Sequence, residues 1–385
     1  MDNFMFHTPT RIFFGKGMIS NLKRIRAYGN TVLMVYGKSS IIKAGIYDQV
    51  MNELKAADMK VVELSGVDPN PRIETVREGI SLCRGNDVDV VLAVGGGSSI
   101  DCAKVIAAGV KYEGDPWDLV LDGSKISEAL PVVSVLTMAA TGSEMDAFAV
   151  ISDMGKNDKL GTGAECLKPV FSILDPEYTY TVPRKHTVAG VADIMSHTLE
   201  NYFAPNKGAF IQARMAEAVL KTCIKYGPIA AENPRNYEAR ANIMWASSLA
   251  INGLLSSGAD VDWTVHGMEH ELSAYYDITH GEGLALLTPH WMRYVLSEET
   301  LWKFKDFGIN VWGVDSSIGD WEIAEMSIEK TSEFFRSLGL PMTLSQVGIG
   351  REKLSEMSDK LKGKFEHSFV SLSPEDVLKI YEAAL

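Results

Sequence analysis

The sequence predicts an α/β domain over residues 1–180 followed by an all-helical domain over residues 181–385. Three observations carry this reading. Short apolar runs alternate with helical patterns through the first half. Glycine-rich turns close several of those runs. After about residue 180 the β-branched runs give way to long helical segments. Continuous Val/Ile/Leu strands interleaved with helices indicate a largely parallel sheet covered on both faces.

The elements follow in order. TVLMVYG (31–37) is an apolar run ending in glycine and reads as a buried strand. IYDQVMNELKAAD (46–58) has apolar positions at helical spacing. KVVELSG (60–66) is a strand, and IETVREGISLCRG (73–85) an amphipathic helix closed by glycine. DVDVVLAVGGGSSIDCAKVIAAGV (87–110) reads as strand, glycine turn and helix. PVVSVLTMAATGSE (131–144) is another buried strand with a loop, and AVISDMG (149–155) and VFSILDP (170–176) are further strands. Beyond the boundary, TVAGVADIMSHTLENYF, AFIQARMAEAVLKTCIKYGPIAAEN and YEARANIMWASSLAINGLLSS are helical, as are the segments up to IYEAAL.

Bulk properties exclude several classes. A net charge of -13 argues against a nucleic-acid partner, which demands a basic face. No apolar run approaches the roughly 18–20 residues that span a bilayer. The start, MDNFMFHTPTRIFFGKG, lacks a basic segment followed by an apolar one, so no secretory leader is expected. Cys83, Cys102, Cys166 and Cys223 form no CxxC pair and read as reduced core thiols of a cytoplasmic protein.

Two stretches carry ligand chemistry. GGGSSID (95–101) follows a strand and opens a helix. Its glycines let backbone amides approach a pyrophosphate, and the helix N-terminus adds free N–H groups and partial positive charge. Ser98 and Ser99 can cap that helix or donate to phosphate oxygens. A second small-residue loop, Thr137 to Glu144, also follows a buried strand, and two such loops mark the ligand crevice of a parallel sheet. The turn Gly37-Lys38-Ser39-Ser40 offers donors and no carboxylate where dinucleotide folds place an acid against the ribose. NADPH is therefore expected to be accepted and preferred over NADH.

The second stretch is a constellation of metal-ligand side chains. Asp193 and His197 stand four apart, as do His266 and His270, and His280 follows in THGEG. Residues at i and i+4 share a helix face. A lone pair of this kind is more often structural, but five such groups crowd into two short windows of the helical domain. Asp193, His197, His266 and His280 would supply an O,N,N,N shell suited to iron(II), zinc, manganese or cobalt. His270 would then be left over beside the metal, where its near-neutral pKa suits a proton carrier. His7, His186, His290 and His367 read as structural.

With GGGSSID, TGSE, an Asp-x-x-x-His helix and His-x-x-x-His followed by His-Gly-Glu-Gly, the chain resembles the iron-containing (group III) alcohol dehydrogenases. Within them it is most similar to the butanol dehydrogenase and broad-range aldehyde reductase branch. The likeness runs along essentially the whole chain, through FGKG (14–17), DPNPRIETV (68–76), AVGGGSSIDCAK (93–104), DPW (115–117), LTMAATGSE (136–144), LDPEYTYTVP (174–183), VADIMSHTLE (191–200) and VHGMEHELSA (265–274).

The resemblance implies a dehydroquinate-synthase-like fold: a Rossmann-type domain, a helical domain and an active site in the cleft between them. It implies Asp193, His197, His266 and His280 as metal ligands and His270 near the nicotinamide. It implies Gly95, Gly96, Gly97, Ser98 and Asp101 at the pyrophosphate, Thr137 and Thr141 along the cofactor, and Lys159 near the nicotinamide end. Gly37 departs from the Asp of NAD-preferring members. The implied activity is hydride transfer between NAD(P)H and a small aliphatic aldehyde or primary alcohol such as butanal or butanol, in a cytoplasmic homodimer. The alternatives are a zinc polyol dehydrogenase of the glycerol type, a lyase of the dehydroquinate-synthase kind, or an inactive nucleotide-binding scaffold. The lyase needs Lys and Arg near the metal, and the windows 193–200 and 262–282 contain none. They offer Trp263, Met268, Leu272, Tyr275 and Tyr276 instead, which suits a small apolar substrate.

Overall fold

The computed structural model describes residues 2–205, 208–259 and 261–385. The chain divides into two compact units. One is α/β and comprises His7–Pro183 with Asn233–Asn252; the other is helical and comprises Met1–Phe6, Arg184–Glu232 and Gly253–Leu385.

The α/β unit holds a parallel sheet of six strands in the order β1-β8-β5-β4-β2-β3. These strands are β1 (Arg11–Phe14), β2 (Thr31–Tyr36), β3 (Lys60–Leu64), β4 (Val90–Gly95), β5 (Val132–Leu136) and β8 (Phe171–Leu174). β2, β4, β5 and β8 are buried along their whole length, which is why they read as largely apolar runs. Side chains of β2 alternate between two cores: Leu33 and Val35 enter one, Val32, Met34 and Tyr36 the other. Register pairs Tyr36 with Val94 and Gly95 with Leu136, so the turns after β2, β4 and β5 emerge along one edge. From β2 the chain steps outward to β3, then returns to β4 on the other side. That reversal is the switch point at which parallel α/β sheets bind ligands.

The structure departs from expectation in four places. β1 was not foreseen: it is a four-residue edge strand with no buried residue. AVISDMG does not join the parallel sheet; β6 (Phe148–Asp153) pairs antiparallel with β7 (Asp158–Gly163) in a separate ribbon. The helix Tyr237–Ile251, expected in the helical domain, belongs to the α/β unit. Its Ser247 hydroxyl donates to the Ala140 carbonyl at 3.0 Å and its Ser248 hydroxyl to Glu144 Oε1 at 2.5 Å. Of the cysteines, Cys83, Cys102 and Cys223 are buried, but Cys166 is exposed.

No helix among the described residues is long and apolar enough to cross a membrane.

Candidate active site

The helix Arg184–Tyr202 carries the first two residues of the candidate metal centre. It is buried from Thr187 to Tyr202, so its polar residues face protein rather than water. Asp193 and His197 lie on one face of it, as their four-residue spacing requires. His266 is the third residue of the helix Thr264–Tyr276, and His280 opens the helix His280–Val295. Gly281 brings this last helix close: a Cβ there would collide with the Ala189 carbonyl on the ligand helix.

Asp193, His266 and His280 bring ligand atoms within 4.8 Å of one another, and His197 meets them at Asp193. Nε2 of His197, His266 and His280 each lies 3.7 Å from Asp193 Oδ1. A tetrahedral shell with ligand bonds of about 2.0–2.2 Å has edges of about 3.3–3.6 Å, so the spacing leaves room for one transition-metal ion. Asp193 Oδ1 and His266 Nε2 are buried and have no hydrogen-bond partner among the described residues. Two buried polar atoms without partners, 3.7 Å apart, are both satisfied by a cation between them once His266 gives up its proton. His270 stands beside this shell. Its ring centroid is 5.5 Å from that of His280 and 6.3 Å from that of His266.

The residues expected to bind the dinucleotide lie in the α/β unit. Gly96 precedes the helix Gly97–Gly109, and no side chain caps it. The first turn of this 13-residue helix therefore has no side-chain cap, and its N-terminal end would suit an anionic ligand. Ser98 is half-exposed at this turn, whereas Ser99 is buried. A Cβ on Gly97 would collide with the Thr141 side chain, so glycine lets the two loops close on each other. Thr137 donates its N–H to the Gly95 carbonyl at 2.9 Å. Gly37 is half-exposed and Lys38, Ser39 and Ser40 are exposed after β2. Lys38 Nζ pairs with Asp68 Oδ1 at 2.8 Å. Lys159 is buried on β7.

Asp101 is turned inward. Its carboxylate accepts from the Ser143 hydroxyl at 2.6 Å and the Val150 N–H at 3.0 Å. Buried Lys104 donates to Ser143 Oγ, Asp146 Oδ1 and the Phe148 carbonyl at 2.9, 2.6 and 2.8 Å. This network ties the helix Gly97–Gly109 to the loop 137–146, so Asp101 shapes the loop rather than presenting a free acid.

A model of the iron-containing alcohol dehydrogenases matches residues 9–176, and a model of the C-terminal part of the same family matches residues 187–385. The chain belongs to the iron-containing alcohol dehydrogenase family. It is 57% identical over 386 residues to NADH-dependent butanol dehydrogenase A of Clostridium acetobutylicum, covering 99% of each chain. It is 39% identical to the NADPH-dependent aldehyde reductase YqhD of Escherichia coli, covering 100% of both. The crystal structure of NADH-dependent butanol dehydrogenase A from Thermotoga maritima superposes with a TM-score of 0.95 at 39% identity, covering 100% of this chain and 99% of that one. This alcohol dehydrogenase is thus an oxidoreductase that uses a metal ion and a nicotinamide dinucleotide.

Two residues in contact with the candidate ligands carry no signal of their own in the sequence reading. Nδ1 of His266 meets Glu200 Oε1, and Nδ1 of His280 meets Glu269 Oε2. Only their spacing from the ligands marks them. Glu200 follows Asp193 by seven residues and His197 by three, and Glu269 follows His266 by three, so each shares a helix face with a ligand. Conversely, Met268 and Leu272, expected beside the substrate, are fully buried in the core of the helical unit.

Electrostatics suit a cation. Burial pushes the Asp193 carboxyl up, but His197, His280 and His266 outweigh it and hold the group well below the usual carboxylate range. Burial lowers His197 to about 4, against the pull of Asp193, so its imidazole is neutral and ready to coordinate. Burial also disfavours charge on His266, yet Glu200 and Asp193 prevail and raise it to about 9. A metal entering here displaces a proton.

Proposed function

We propose that this dehydrogenase reduces small aliphatic aldehydes such as butanal to primary alcohols, and catalyses the reverse oxidation, with iron(II) held by Asp193, His197, His266 and His280. The observation that carries the reading is the convergence of three Nε2 atoms at 3.7 Å from one buried carboxylate oxygen. When bound, the ion supplies Lewis acidity toward the substrate oxygen and the nicotinamide carries the hydride. Zinc is the alternative ion for the same donor set.

The chain's own residues do the rest. Asp193 supplies the negative charge that favours a divalent ion, and its burial excludes water from that side of the centre. His270, beside His280 and His266 but outside the four-ligand set, is the proposed proton carrier for the alcohol oxygen. Trp263 packs edge-on against His197 and His266, with ring centroids 5.8 and 5.4 Å away, and gives the centre an apolar neighbour. The relatives support the substrate class: two butanol dehydrogenases of Clostridium acetobutylicum at 57% and 56% identity, and an aldehyde reductase at 39%. A lyase acting on an acidic sugar is less well supported. The nearby lysines Lys185 and Lys360 are paired with Glu282 and Glu271, each at 3.3 Å.

NADPH is the proposed preferred donor and NADH a second. Lys38, Ser39 and Ser40 are exposed donors, and no acid stands among residues 37–40. The opposing consideration is Asp68, which holds Lys38. The relatives' names divide between NADH and NADPH. A cytoplasmic homodimer is proposed: the cysteines are free, and exposed Phe210 and Ile211 give a second copy an apolar surface to cover.

The test is anaerobic purification, metal analysis and assay of butanal with both dinucleotides. One divalent ion per chain and NAD(P)H oxidation that depends on butanal are expected. A protein that holds a metal but leaves butanal untouched ends the substrate assignment, and a clear advantage for NADH ends the cofactor preference.

A further inference from the structure

The three histidines of the shell are not held alike. His197 leaves the middle of the helix Arg184–Tyr202, where backbone on both sides is fixed. It stacks on His266, with ring centroids 4.5 Å apart and planes 16° from parallel. Its Nδ1 is buried with no hydrogen-bond partner among the described residues. His266 and His280 instead occupy the third and first residues of their helices. Helix ends fray, and neither of these two has a side-chain cap on its own N-cap residue. A ligand placed there needs an outside brace.

Two buried carboxylates provide it. Glu200 Oε2 accepts from the Val265 N–H at 3.0 Å, and Oε1 from the His266 N–H at 3.1 Å as well as from His266 Nδ1. It therefore caps the helix Thr264–Tyr276 from another helix, and Trp263 at its N-cap, with φ 52°, does not. Glu269 repeats the arrangement one step on. Oε2 takes His280 Nδ1, while Oε1 accepts from the Ser273 hydroxyl.

We propose that Glu200 and Glu269 are positioning residues for metal capture: each fixes the ring and the Nδ1–H tautomer of the histidine at the start of the next helix, so that Nε2 points at Asp193. The helix Arg184–Tyr202 sets Asp193 and His197 directly and His266 through Glu200. The helix Thr264–Tyr276 then sets His280 through Glu269. Carboxylates behind metal-bound imidazoles raise ligand basicity and hold the tautomer, and their loss weakens metal binding. This rests on the metal-centre reading above.

Glu269→Gln, Glu269→Ala and Glu200→Gln test it, each as purified full-length protein stripped of metal by chelation. Glutamine at 269 keeps an oxygen for His280 and an amide for Ser273, so that variant is expected to fold; near-UV circular dichroism of each apoprotein checks this. Cobalt(II) is then titrated against a chromophoric chelator. Its Kd is expected to rise about 10-fold in Glu269→Gln and about 100-fold in Glu269→Ala, with Glu200→Gln affected at least as much as the former. The ligand-field bands of bound cobalt(II) are expected to shift, because the His280 ring is no longer held. A structural role alone would lower apoprotein Tm and leave both readouts unchanged. Folded Glu269 variants with wild-type cobalt affinity and wild-type bands overturn the proposal while leaving the metal centre intact. A wild-type chain that binds no cobalt(II) overturns the centre and this inference together.

Discussion

The proposed metal shell and the proposed dinucleotide loops would position their ligands in opposite ways. In the helical unit the work is done by side chains: a buried carboxylate, three imidazoles and the acids behind them. In the α/β unit it is done by backbone. Gly96 and Gly97 open an uncapped helix, and a buried Asp101–Ser143–Lys104–Asp146 network keeps the neighbouring loop in place. The first kind of site is lost when a functional group is removed. The second is lost when an atom is added.

That contrast sets the largest expected effects. His266→Ala removes a ligand and exposes Asp193 to an unpaired state, so metal content should fall to background and kcat/KM by at least about 10³-fold. His270→Ala should keep the metal and lose about 10²-fold in kcat, the usual scale for a proton-transfer group. Metal analysis of the two variants decides the division of labour. Metal loss in His270→Ala would place that residue inside the shell.

Adding one methyl group probes the other region. Gly97→Ala drives a Cβ into Thr141. Overpacking of this kind costs about 1–3 kcal/mol, so KM for the dinucleotide should rise about 10-fold or more while metal content stays at wild type. Equal loss of metal and dinucleotide binding would erase the contrast between the two sites.

The same contrast explains what sequence could show. The central strands β2, β4, β5 and β8 were legible because burial on both faces leaves mostly apolar residues, the serines of β5 and β8 being bonded to each other at 2.8 Å. The edge strand RIFF is too short and too exposed to carry a pattern. The ribbon strand DKLGTG has two glycines and little apolar alternation, so the partner of β6 stayed hidden. The helix Tyr237–Ile251 was legible as a helix, but periodicity does not say which unit a helix packs on. Among site residues, Asp193 and His197 share a helix and so announce themselves by spacing. Glu200 and Glu269 act on ring nitrogens that arrive from other helices, and no local pattern records such a meeting. Asp101 shows the reverse error: a polar residue in a phosphate-loop motif whose carboxylate faces the protein interior.

A smaller effect belongs to stability. Glu144 lies in the loop after β5, fully buried, with Oε1 accepting from Ser248 and Oε2 unpartnered among the described residues. Burial pushes its pKa up to about 7 from the ordinary 4.5, with Asp146 adding to the rise and Ser248 and Lys104 opposing it. The folded state thus holds a proton that the unfolded state releases. The sign follows: the contribution is fully present below pH 4.5 and is lost as pH rises through about 7. Glu144→Gln, neutral at every pH, should flatten the fall in Tm between pH 5 and pH 8 by about 2–4 °C. Parallel curves for wild type and variant would show that Glu144 is ionised in the fold.

The smallest effect asks whether the dinucleotide region also recruits a side chain. Lys38 is exposed and pairs with Asp68 at 2.8 Å, and an exposed pair of this kind is worth about 0–1 kcal/mol. A 2′-phosphate carries more charge than one carboxylate and can take Lys38 from it at little cost. Lys38→Ala should therefore lower kcat/KM for NADPH about 5-fold and leave NADH nearly unchanged, since a single exposed charge contributes only about 1 kcal/mol. Asp68→Asn should act in the opposite sense, raising kcat/KM for NADPH about 2-fold by freeing the lysine. If both variants treat the two dinucleotides alike, the turn after β2 reads no phosphate. The α/β unit would then bind its cofactor by backbone alone, and its difference from the metal shell would be complete.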